Sequence, residues 1–379
     1  MLADDSDKKM GVLSGGGSKT LLRLVGKHIV EYTLDNVIEM GAKQVYMVVS
    51  NPRDFEDVAV KYGRYVELEL VRQSGLGVEG AIISIRDFIN DDFILLYGDV
   101  VAPKDMYREL VSAYMMNGYA AVIVPEEDTE TYSVAKLDDM GRIEGFAGKP
   151  IIEGGLSTYV IGGAFVLPRE FVDFVESLGN VIEALNAINS KYRLKPCVWS
   201  GWWVDIEYPW DLLRASLYLF QQSNKMMVSG NSTISHKAII EGPVIIEDDV
   251  EIDHFAVIKG PSFIGRRTYV GNHSLVRSYV SLEGNNVIGA YTEVVWSSVQ
   301  KGASIGSRSY IGFSIIGQDS VIEPGVITLN VVPEEVKIAR AIKLRKRGRE
   351  YTKLGAVIGF KARIKAYTVL KPGEEIAMI

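Results

Sequence analysis

The feature that most constrains the fold of this chain is a six-residue spacing of aliphatic residues that begins at Ile234. Small or β-branched residues follow most of these positions four residues later. A period of six predicts one short strand and one turn per repeat, and three repeats close a triangular coil around the aliphatic residues. The second half is therefore predicted to be a left-handed parallel β-helix of hexapeptide repeats. The unbroken part of the ladder has eleven members: Ile234, Ile240, Ile246, Ile252, Ile258, Ile264, Val270, Val276, Leu282, Ile288 and Val294.

The ladder shifts phase twice and then continues almost to the C-terminus. A β-sandwich would instead show apolar and polar residues in alternation, with turns about every 8 to 12 residues, so we exclude it. The later runs are Val299, Ile305 and Ile311, then Ile316 and Ile322, and finally Ile358, Ile364, Leu370 and Ile376.

A strongly basic stretch, residues 337–353, lies between the last two runs of the ladder. It is predicted to leave the β-helix as a hairpin insertion near residues 331–353. Three interpretations stay open: a solvated loop, a clamp for an anionic ligand, or a contact with a neighbouring subunit. Its basic residues include Lys337, Arg340, Lys343, Arg345, Lys346, Arg347 and Arg349.

The first half of the chain shows a different rhythm. Residues 45–50 and 66–71 are predicted to form strands, residues 80–88 a helix, and residues 93–97 a buried strand. Alternating strands and helices indicate a Rossmann-like α/β domain with a largely parallel sheet and helices on both faces. The 379 residues exceed the size of about 250–300 at which one core stops growing. We therefore predict two domains, 1–225 and 226–379.

Composition narrows the classes of partner and compartment. The net charge of −7 argues against a general nucleic-acid binder, because phosphate backbones are held by basic surfaces. Cys197 is the single cysteine, so no intramolecular disulfide can form. The N-terminus lacks the pattern of a signal peptide, and no apolar run reaches the roughly 18 residues of a membrane span. We expect a cytoplasmic protein with small-molecule substrates, no membrane and no nucleic acid.

Two aspartates stand where an α/β sheet binds its ligands. The strand at 93–97 ends in Gly98 and Asp99, which places a carboxylate at the carboxyl edge of the sheet. A second carboxylate, Asp205, follows Trp203 and precedes a helix predicted to begin near Pro209. Both carboxylates are predicted to face one cleft.

Several motifs together resemble those of the sugar-1-phosphate nucleotidylyltransferases, in particular the archaeal type with a β-helical acyltransferase-like tail. The resemblance spans nearly the whole chain. Its markers are residues 19–32 (KTLLRLVGKHIVEY), Gln73, Leu76 with Gly77, Gly98 with Asp99, Gly148-Lys149-Pro150, the W-x-D-x-x-x-P element that ends at Pro209, and residues 353–359 (KLGAVIG).

The resemblance implies a reaction in which a sugar-1-phosphate attacks the α-phosphorus of a nucleoside triphosphate and pyrophosphate leaves. It implies Mg²⁺ as the cofactor, held by Asp99 and Asp205, and oxygen ligands suit this ion. It assigns Lys9 and Lys149 catalytic roles. The remaining implied sites are Lys149 and Gly163 for the sugar phosphate, and Leu2, Ala3, Lys19, Gln73, Gly77 and Gly98 for the nucleotide.

The chain departs from the family at the N-terminal signature L-A-A-G-x-G-T-R. Without gaps the glycines become aspartates, with Asp4, Asp5 and Asp7 near a site for a highly anionic ligand. Lys9 stands in place of the arginine, and a lysine lacks the bidentate fork of a guanidinium. Met1 falls inside the central strand, so either the start lies upstream or the sheet lacks part of its middle. Triphosphate binding and turnover are expected to be weakened.

Departures also occur at the sugar site and in the tail. Gly148 replaces a glutamate, and Ile161 stands where an asparagine is usual. Ser307 aligns near the acyl-transfer histidine, and a serine is no general base, so acetyltransferase activity is expected to be absent. His236, His254 and His273 lie on the β-helix and are interpreted as structural.

Two hypotheses remain from the sequence. The first is a sugar-1-phosphate nucleotidylyltransferase homologue with weak or altered activity. The alternative is a non-catalytic regulatory or scaffolding subunit that binds a sugar nucleotide and pairs with an active paralogue. Because β-helices of this kind commonly associate through flat faces, we expect a homo-oligomer or, under the alternative, a hetero-oligomer.

Overall fold

The computed structural model describes residues 1–3, 9–126, 129–149, 158–336, 342–346 and 348–378. The chain divides into two compact units. The α/β unit comprises Met1–Ser6 and Ile29–Asp205, and the β-helix unit comprises Asp7–His28 and Ile206–Ile379. This division differs from the predicted boundary at residue 225, because an N-terminal segment and the helix after Asp205 both group with the β-helix.

The helices and the first twelve strands are numbered in chain order. The helices are α1 Gly11–Ser14, α2 Ile29–Glu39, α3 Glu56–Tyr62, α4 Gly77–Ile83, α5 Lys104–Asn117, α6 Phe171–Leu178, α7 Val181–Tyr192 and α8 Asp211–Gln222, with short 3₁₀ turns at Lys19–Leu21 and Pro52–Phe55. The strands are β1 Arg23–Leu24, β2 Lys27–His28, β3 Gln44–Val49, β4 Glu67–Arg72, β5 Phe93–Leu96, β6 Val100–Val101, β7 Ala120–Pro125, β8 Val134–Leu137, β9 Ile143–Ala147, β10 Tyr159–Leu167, β11 Lys195–Val198 and β12 Val204–Asp205.

The predicted strands of the first half are confirmed to within about one residue by β3, β4 and β5. The predicted helix at 80–88 is α4, which begins at Gly77 and ends at Ile83. Strands β3 and β4 are parallel, and Leu2 bridges Val48 and Tyr97 in parallel register. The amino group of Met1 is buried and donates to the carbonyl oxygen of Tyr46 at 2.7 Å.

The expectation of a largely parallel sheet is confirmed for β3, β4, β5, β7 and β11, which run in one direction, whereas β10 makes the sheet mixed. Its order is β11-β7-β10-β8-β9, with β5 also paired to β10. The long strand β10 runs antiparallel to β5, β7 and β8, while β11 is parallel to β7. Strand β10 is nine residues long and pairs along both of its edges. It therefore joins β7 on one edge to β5 and β8 on the other. None of the helices in the described part of the chain has the length and apolar character that a membrane crossing needs.

The second half is a left-handed parallel β-helix with three sheets. The first face contains Met227–Val228, Val244–Ile246, Ser262–Ile264, Val280–Leu282, Ser298–Val299, Ile315–Ile316, Val357–Ile358 and Glu375–Ile376. The second face contains Thr233–Ile234, Glu251–Ile252, Tyr269–Val270, Val287–Ile288, Ser304–Ile305, Val321–Ile322 and Arg363–Ile364. The third face contains Ile239–Glu241, Val257–Lys259, Leu275–Arg277, Glu293–Val295, Tyr310–Gly312, Ile327–Thr328 and Val369–Leu370.

Residues one coil apart pair directly and stack their aliphatic side chains inside. Ile234 pairs with Ile252, 18 residues later, and the first phase shift appears where Leu282 pairs with Val299. The interior is one continuous buried cluster from Val244 to Leu370. The predicted β-helix is therefore confirmed, with its inward positions on the aliphatic ladder.

Part of the basic stretch forms a two-stranded ribbon. Residues Ile342–Lys346 pair antiparallel with Arg349–Lys353. Lys343, Arg345 and Arg349 are exposed. Lys337, Arg340 and Arg347 lie outside the described residues.

Candidate functional site

The carboxyl edge of the α/β sheet brings together several of the predicted nucleotide-site residues. The amide of Gly98 donates to the carbonyl oxygen of Leu2 at 2.7 Å. A Cβ atom on Gly98 would lie 2.9 Å from that oxygen and 3.0 Å from the Cα atom of Ala3. Only glycine permits this approach, so the backbone of Leu2 and Ala3 lies directly against the turn that carries Asp99.

Gly163 completes this edge from the opposite side. Its carbonyl oxygen accepts a hydrogen bond of 2.8 Å from the amide of Tyr97. Its φ of 76° lies in the left-handed region, and a Cβ atom there would lie 2.9 Å from Val100. A side chain at this position would therefore push the Asp99 turn out of place.

Asp205 lies on a short pair of strands, and Asp99 lies in the turn that leads into the same pair. Strand β12 pairs antiparallel with β6, and Asp205 is the direct partner of Val100, the residue after Asp99. Both aspartates are half-buried. The hydroxyl of Thr33 on α2 donates to the carbonyl oxygen of Val100 at 3.1 Å and so holds β6 in place. The structure thus places the backbones of two aspartates next to each other, although they are more than a hundred residues apart in sequence.

The surroundings of Asp99 are apolar on one side. Burial raises the pKa of Tyr107 to about 12, and the negative charge of Asp99 contributes to that rise. Tyr107 is fully buried. The half-buried Asp99 therefore lies close enough to the buried Tyr107 to act on it electrostatically.

The donor set fits Mg²⁺ in type. Within the described ranges, no group of three or more His, Cys, Asp and Glu side chains is arranged to hold a metal ion. Two carboxylates without further protein ligands match Mg²⁺, which usually keeps several waters and shares its shell with substrate phosphates. Asp99 and Asp205 would supply the protein oxygens of such a shell.

Lys149 lies beside an aromatic pair that the sequence analysis did not identify. Its ammonium stands 5.8 Å from the ring centre of the buried Tyr132. Tyr132 packs against Trp203 at 5.5 Å, and the indole N–H of Trp203 donates to the carbonyl oxygen of Gly162 at 3.0 Å. The W-x-D spacing could have pointed to Trp203, whereas no sequence signal marks Tyr132.

Gln73 and Gly77 belong to one closed loop. The side-chain amide of Gln73 donates to the carbonyl oxygens of Gly75 at 2.8 Å and Gly77 at 2.9 Å. Gly77 has a φ of 70°, which favours glycine. Leu76 at the tip is almost fully exposed. The loop therefore presents backbone groups and an apolar side chain to solvent.

Lys9 and Lys19 both fall in the β-helix unit. The ammonium of Lys9 lies 2.7 Å from a carboxylate oxygen of Glu207 and 3.2 Å from the hydroxyl oxygen of Tyr208. Partial burial alone would lower the pKa of Lys9, but these two hydrogen bonds raise it above its ordinary value. Lys9 is therefore a cation at neutral pH, and a carboxylate already holds its charge.

Lys19 is buried in a 3₁₀ turn, which is unusual for a lysine. Ser18 caps this turn by accepting from the amide of Thr20 at 3.3 Å. Asp4, Asp5, Asp7 and Pro150 lie outside the described residues.

Residues 7–222, more than half of the chain, match the family described as Nucleotidyl transferase. The chain belongs to this family. It is 25% identical over 386 residues to the "Bifunctional sugar-1-phosphate nucleotidylyltransferase/acetyltransferase" of Sulfurisphaera tokodaii, covering 99% of this chain and 93% of that protein. It is 28% identical over 388 residues to the "Bifunctional protein GlmU" of Methanococcus vannielii, covering 99% and 91%.

Solved structures of nucleotidyltransferases share the fold of the first half. A UDP-glucose pyrophosphorylase complexed with UDP-glucose superposes with a TM-score of 0.52 at 19% identity. The match covers 59% of this chain and 97% of that one. The resemblance inferred from the motifs is thus confirmed at the level of family and fold.

In this family member, the predicted site residues are divided between the two units. Leu2, Ala3, Gly98, Asp99, Gly163 and Asp205 form one connected edge of the α/β unit, and Lys149 and the loop with Gln73 and Gly77 belong to the same unit. In the β-helix unit, His273 stacks between Phe255 and Tyr291, each at 4.9 Å. His254 lies 3.0 Å from the carboxylate of Asp253.

Proposed function

We propose that this protein catalyses nucleotidyl transfer from a nucleoside triphosphate to a sugar-1-phosphate, with weakened activity. A phosphate oxygen of the sugar-1-phosphate attacks the α-phosphorus, the bond from that phosphorus to the bridging oxygen breaks, and pyrophosphate leaves. The observation that carries the proposal is the pairing of Asp205 with the residue next to Asp99. Mg²⁺, held by these two carboxylates, would neutralise the charge of the phosphates and orient the attack.

The remaining roles are those that the family resemblance implies. Lys149, held near Tyr132, would bind the sugar phosphate together with the backbone at Gly163. Lys19 would bind the phosphates, while the loop of Gln73 and Gly77 would contact the base. Leu2, Ala3 and Gly98 would offer backbone to the nucleotide at the edge where they meet.

The proposal of weakened turnover rests on Lys9. A lysine offers one point charge where the family has a guanidinium, and bidentate contact with phosphate is lost. Its contact with Glu207 at 2.7 Å also places an anion beside the group that should attract phosphate. Glu207 would have to release Lys9 before that cation could contact a triphosphate.

The test is pyrophosphate release, measured with a panel of nucleoside triphosphates and sugar-1-phosphates. Asp99→Ala and Asp205→Ala should each lower the rate by roughly 100-fold or more, because the metal supplies several kcal/mol of charge stabilisation. Asp91→Ala is the matched control, since Asp91 is exposed and precedes the opposite end of β5. It should leave the rate unchanged.

Two outcomes would overturn parts of this proposal. Full activity in Asp99→Ala would remove the metal assignment. Absence of release by the wild-type protein, together with binding of a nucleotide-sugar, would favour the regulatory alternative. Adding the active paralogue to that assay would then show whether this chain changes its rate.

We further propose that copies of the chain associate through the third face of the β-helix. Its outward row is apolar at six of seven positions, and the row pairs coil by coil along the whole helix. Ile239, Ile327 and Val369 are exposed, and Val257, Leu275 and Tyr310 are half-exposed. Soluble monomers rarely expose so long an apolar patch. The row consists of Ile239, Val257, Leu275, Glu293, Tyr310, Ile327 and Val369.

A second copy of the chain fits this face better than an unrelated partner. Six coil steps of about 4.8 Å make the row about 29 Å long and straight, so another β-helix matches both its length and its repeat. Arg277 pairs with Glu293, the one charged member of the row, and Lys259 pairs with Glu241 beside it, so these four charges balance. Residues 337–353 carry eight basic and one acidic residue, so the rest of the chain carries −14. Copies can therefore also attract one another through opposite charges.

A further inference from the structure

The N-terminal segment of the β-helix unit is gripped by two buried side chains of the β-helix. Strands β1 and β2 form a hairpin whose central residues, Val25 and Gly26, have φ angles of 48° and 87°. Two positive φ values are typical of a type I′ turn. The backbone amides of this turn are both bound by one carboxylate.

That carboxylate is Glu283, which is 3% exposed. Its two oxygens accept from the amide of Val25 at 2.8 Å and from the amide of Gly26 at 2.9 Å. The hydroxyl of Ser281 donates to it as well, and Arg23 lies 3.8 Å away. A buried carboxylate is costly unless it is hydrogen-bonded, so these contacts are what makes the position tolerable.

Gln300 binds the same hairpin one coil later. Its side-chain amide donates to the carbonyl oxygen of Arg23 at 2.8 Å, and its oxygen accepts from the amide of Arg23 at 2.9 Å. The side chain thus imitates a neighbouring strand. Glu283 follows Leu282, and Gln300 follows Val299. Because Leu282 and Val299 pair across neighbouring coils, Glu283 and Gln300 lie one above the other.

The hairpin packs so closely on the β-helix that Gly26 has no space for a side chain. A Cβ atom on Gly26 would lie 2.6 Å from the ring of Phe263, which is 4% exposed on the same face. The hairpin also contacts the turn that carries Lys19. Nδ1 of His28 lies 2.5 Å from the carbonyl oxygen of Leu21, and the amide of Leu22 donates to the carbonyl oxygen of Lys19 at 3.0 Å. The grip therefore extends to the backbone of Lys19 itself.

We infer that Glu283 and Gln300 are positioning residues for Lys19, which they hold in place through the hairpin. This inference rests on the proposed function. Because Lys19 is proposed to bind the phosphates, loss of either side chain should weaken nucleotide binding. The side chains act through the hairpin and do not touch the substrate.

The experiment measures the Kd of the full-length protein for magnesium complexes of ATP, CTP, GTP, UTP and dTTP by calorimetry, and continues with the tightest. Glu283→Gln keeps the side-chain size but turns an NH₂ group toward a backbone N–H, and Gln300→Ala removes both contacts to Arg23. Each should raise Kd about 10-fold, because two hydrogen bonds are lost or opposed. Faster amide exchange over residues 18–28 should accompany the weaker binding.

The matched control is Glu323→Gln. Glu323 also holds a backbone amide, that of Ala366 at 3.0 Å, together with Arg363 at 3.0 Å. It makes these contacts within the β-helix and does not hold the hairpin, so the substitution should change Kd by less than about two-fold while it removes contacts of the same kind.

A double-mutant cycle decides whether the effect passes through Lys19. In a Lys19→Ala protein, Glu283→Gln should change Kd by less than about two-fold, because the group that it positions is gone. Unchanged Kd in Glu283→Gln and Gln300→Ala, with wild-type binding intact, would overturn the inference alone. A wild-type protein that binds none of the five triphosphates would overturn the proposed function together with it.

Discussion

The first and third faces of the β-helix share one interior but have opposite exteriors. On the first face, the outward residues Phe263, Ser281 and Ile315 are 4%, 1% and 0% exposed, and Gly26 of the N-terminal hairpin lies directly against the ring of Phe263. On the third face, Ile239 and Val369 are 56% and 54% exposed. The same fold thus presents one face that the chain covers itself and one that it leaves to solvent.

This difference shows that inward positions of the coils reflect the fold, whereas outward positions reflect what lies against each face. Inward positions repeat because every coil needs an aliphatic residue in the same place. Outward positions on the first face do not repeat in this way and include small, aromatic and aliphatic residues, as Ser281, Phe263 and Ile315 show. Outward apolar residues on the third face lack such a cover within the described unit and indicate a surface for another molecule.

The largest effect is expected from a charge on the third face. Leu275→Asp should separate the proposed assembly into single chains of 41.9 kDa, because an unpaired charge at the centre of an interface costs about 3–5 kcal/mol. Light scattering across a concentration series measures the mass. Val287→Asp, on the outward row of the second face, is the matched control and should leave the mass unchanged. A wild-type protein of 41.9 kDa at every concentration would remove the proposed role of the third face.

A smaller effect is expected from adding one methyl group to the hairpin at Gly26, which packs against the first face. Gly26→Ala should lower the free energy of unfolding of the β-helix unit by about 2–4 kcal/mol, because left-handed backbone strain and overpacking against Phe263 act together. Gly242→Ala has a similar φ of 84°, but its Cβ atom would come no closer than 3.5 Å to any atom. It should cost only about 1–2 kcal/mol in urea unfolding. Equal losses would show that the hairpin at Gly26 does not pack tightly against Phe263.

The smallest effect concerns pH. Burial raises the pKa of Glu283, with its hydrogen bonds opposing the rise. The folded chain therefore holds this proton more tightly than the unfolded chain, so the contribution of Glu283 is fully present below pH 4.5 and is lost as the pH rises through the higher folded value. One such group changes stability by at most about 1.4 kcal/mol per pH unit. Comparing the urea midpoints of wild type and Glu283→Gln across pH 4 to 8 measures this.

Glu323 should behave in the opposite way, which sharpens the contrast between a covered and an open position. The amide of Ala366 and the guanidinium of Arg363 hold the pKa of Glu323 below its ordinary value. Its contribution is therefore present above the ordinary pKa and is lost as the pH falls through the lower folded value. Slopes of the same sign for Glu283→Gln and Glu323→Gln would contradict the assigned environments.

Some of the candidate site could be predicted from local motifs. The strand that ends before Gly98 and the W-x-D element placed Asp99 and Asp205 at the sheet edge, and β6 and β12 pair there. The packing of Tyr132 between Lys149 and Trp203 had no local signal, because it depends on which strands meet. The antiparallel course of β10 was missed for the same reason, since a buried strand reads alike in both directions.

The sequence by itself determined the β-helix, its phase shifts and its buried aliphatic ladder, because residues that recur at a constant interval meet the same neighbours in every coil. Only the tertiary structure decided that Val25 and Gly26 lie on Glu283, and that segment 7–28 groups with the β-helix unit. Contacts between residues more than 250 positions apart depend on one relative placement of two segments. They leave no period in the chain from which they could be inferred.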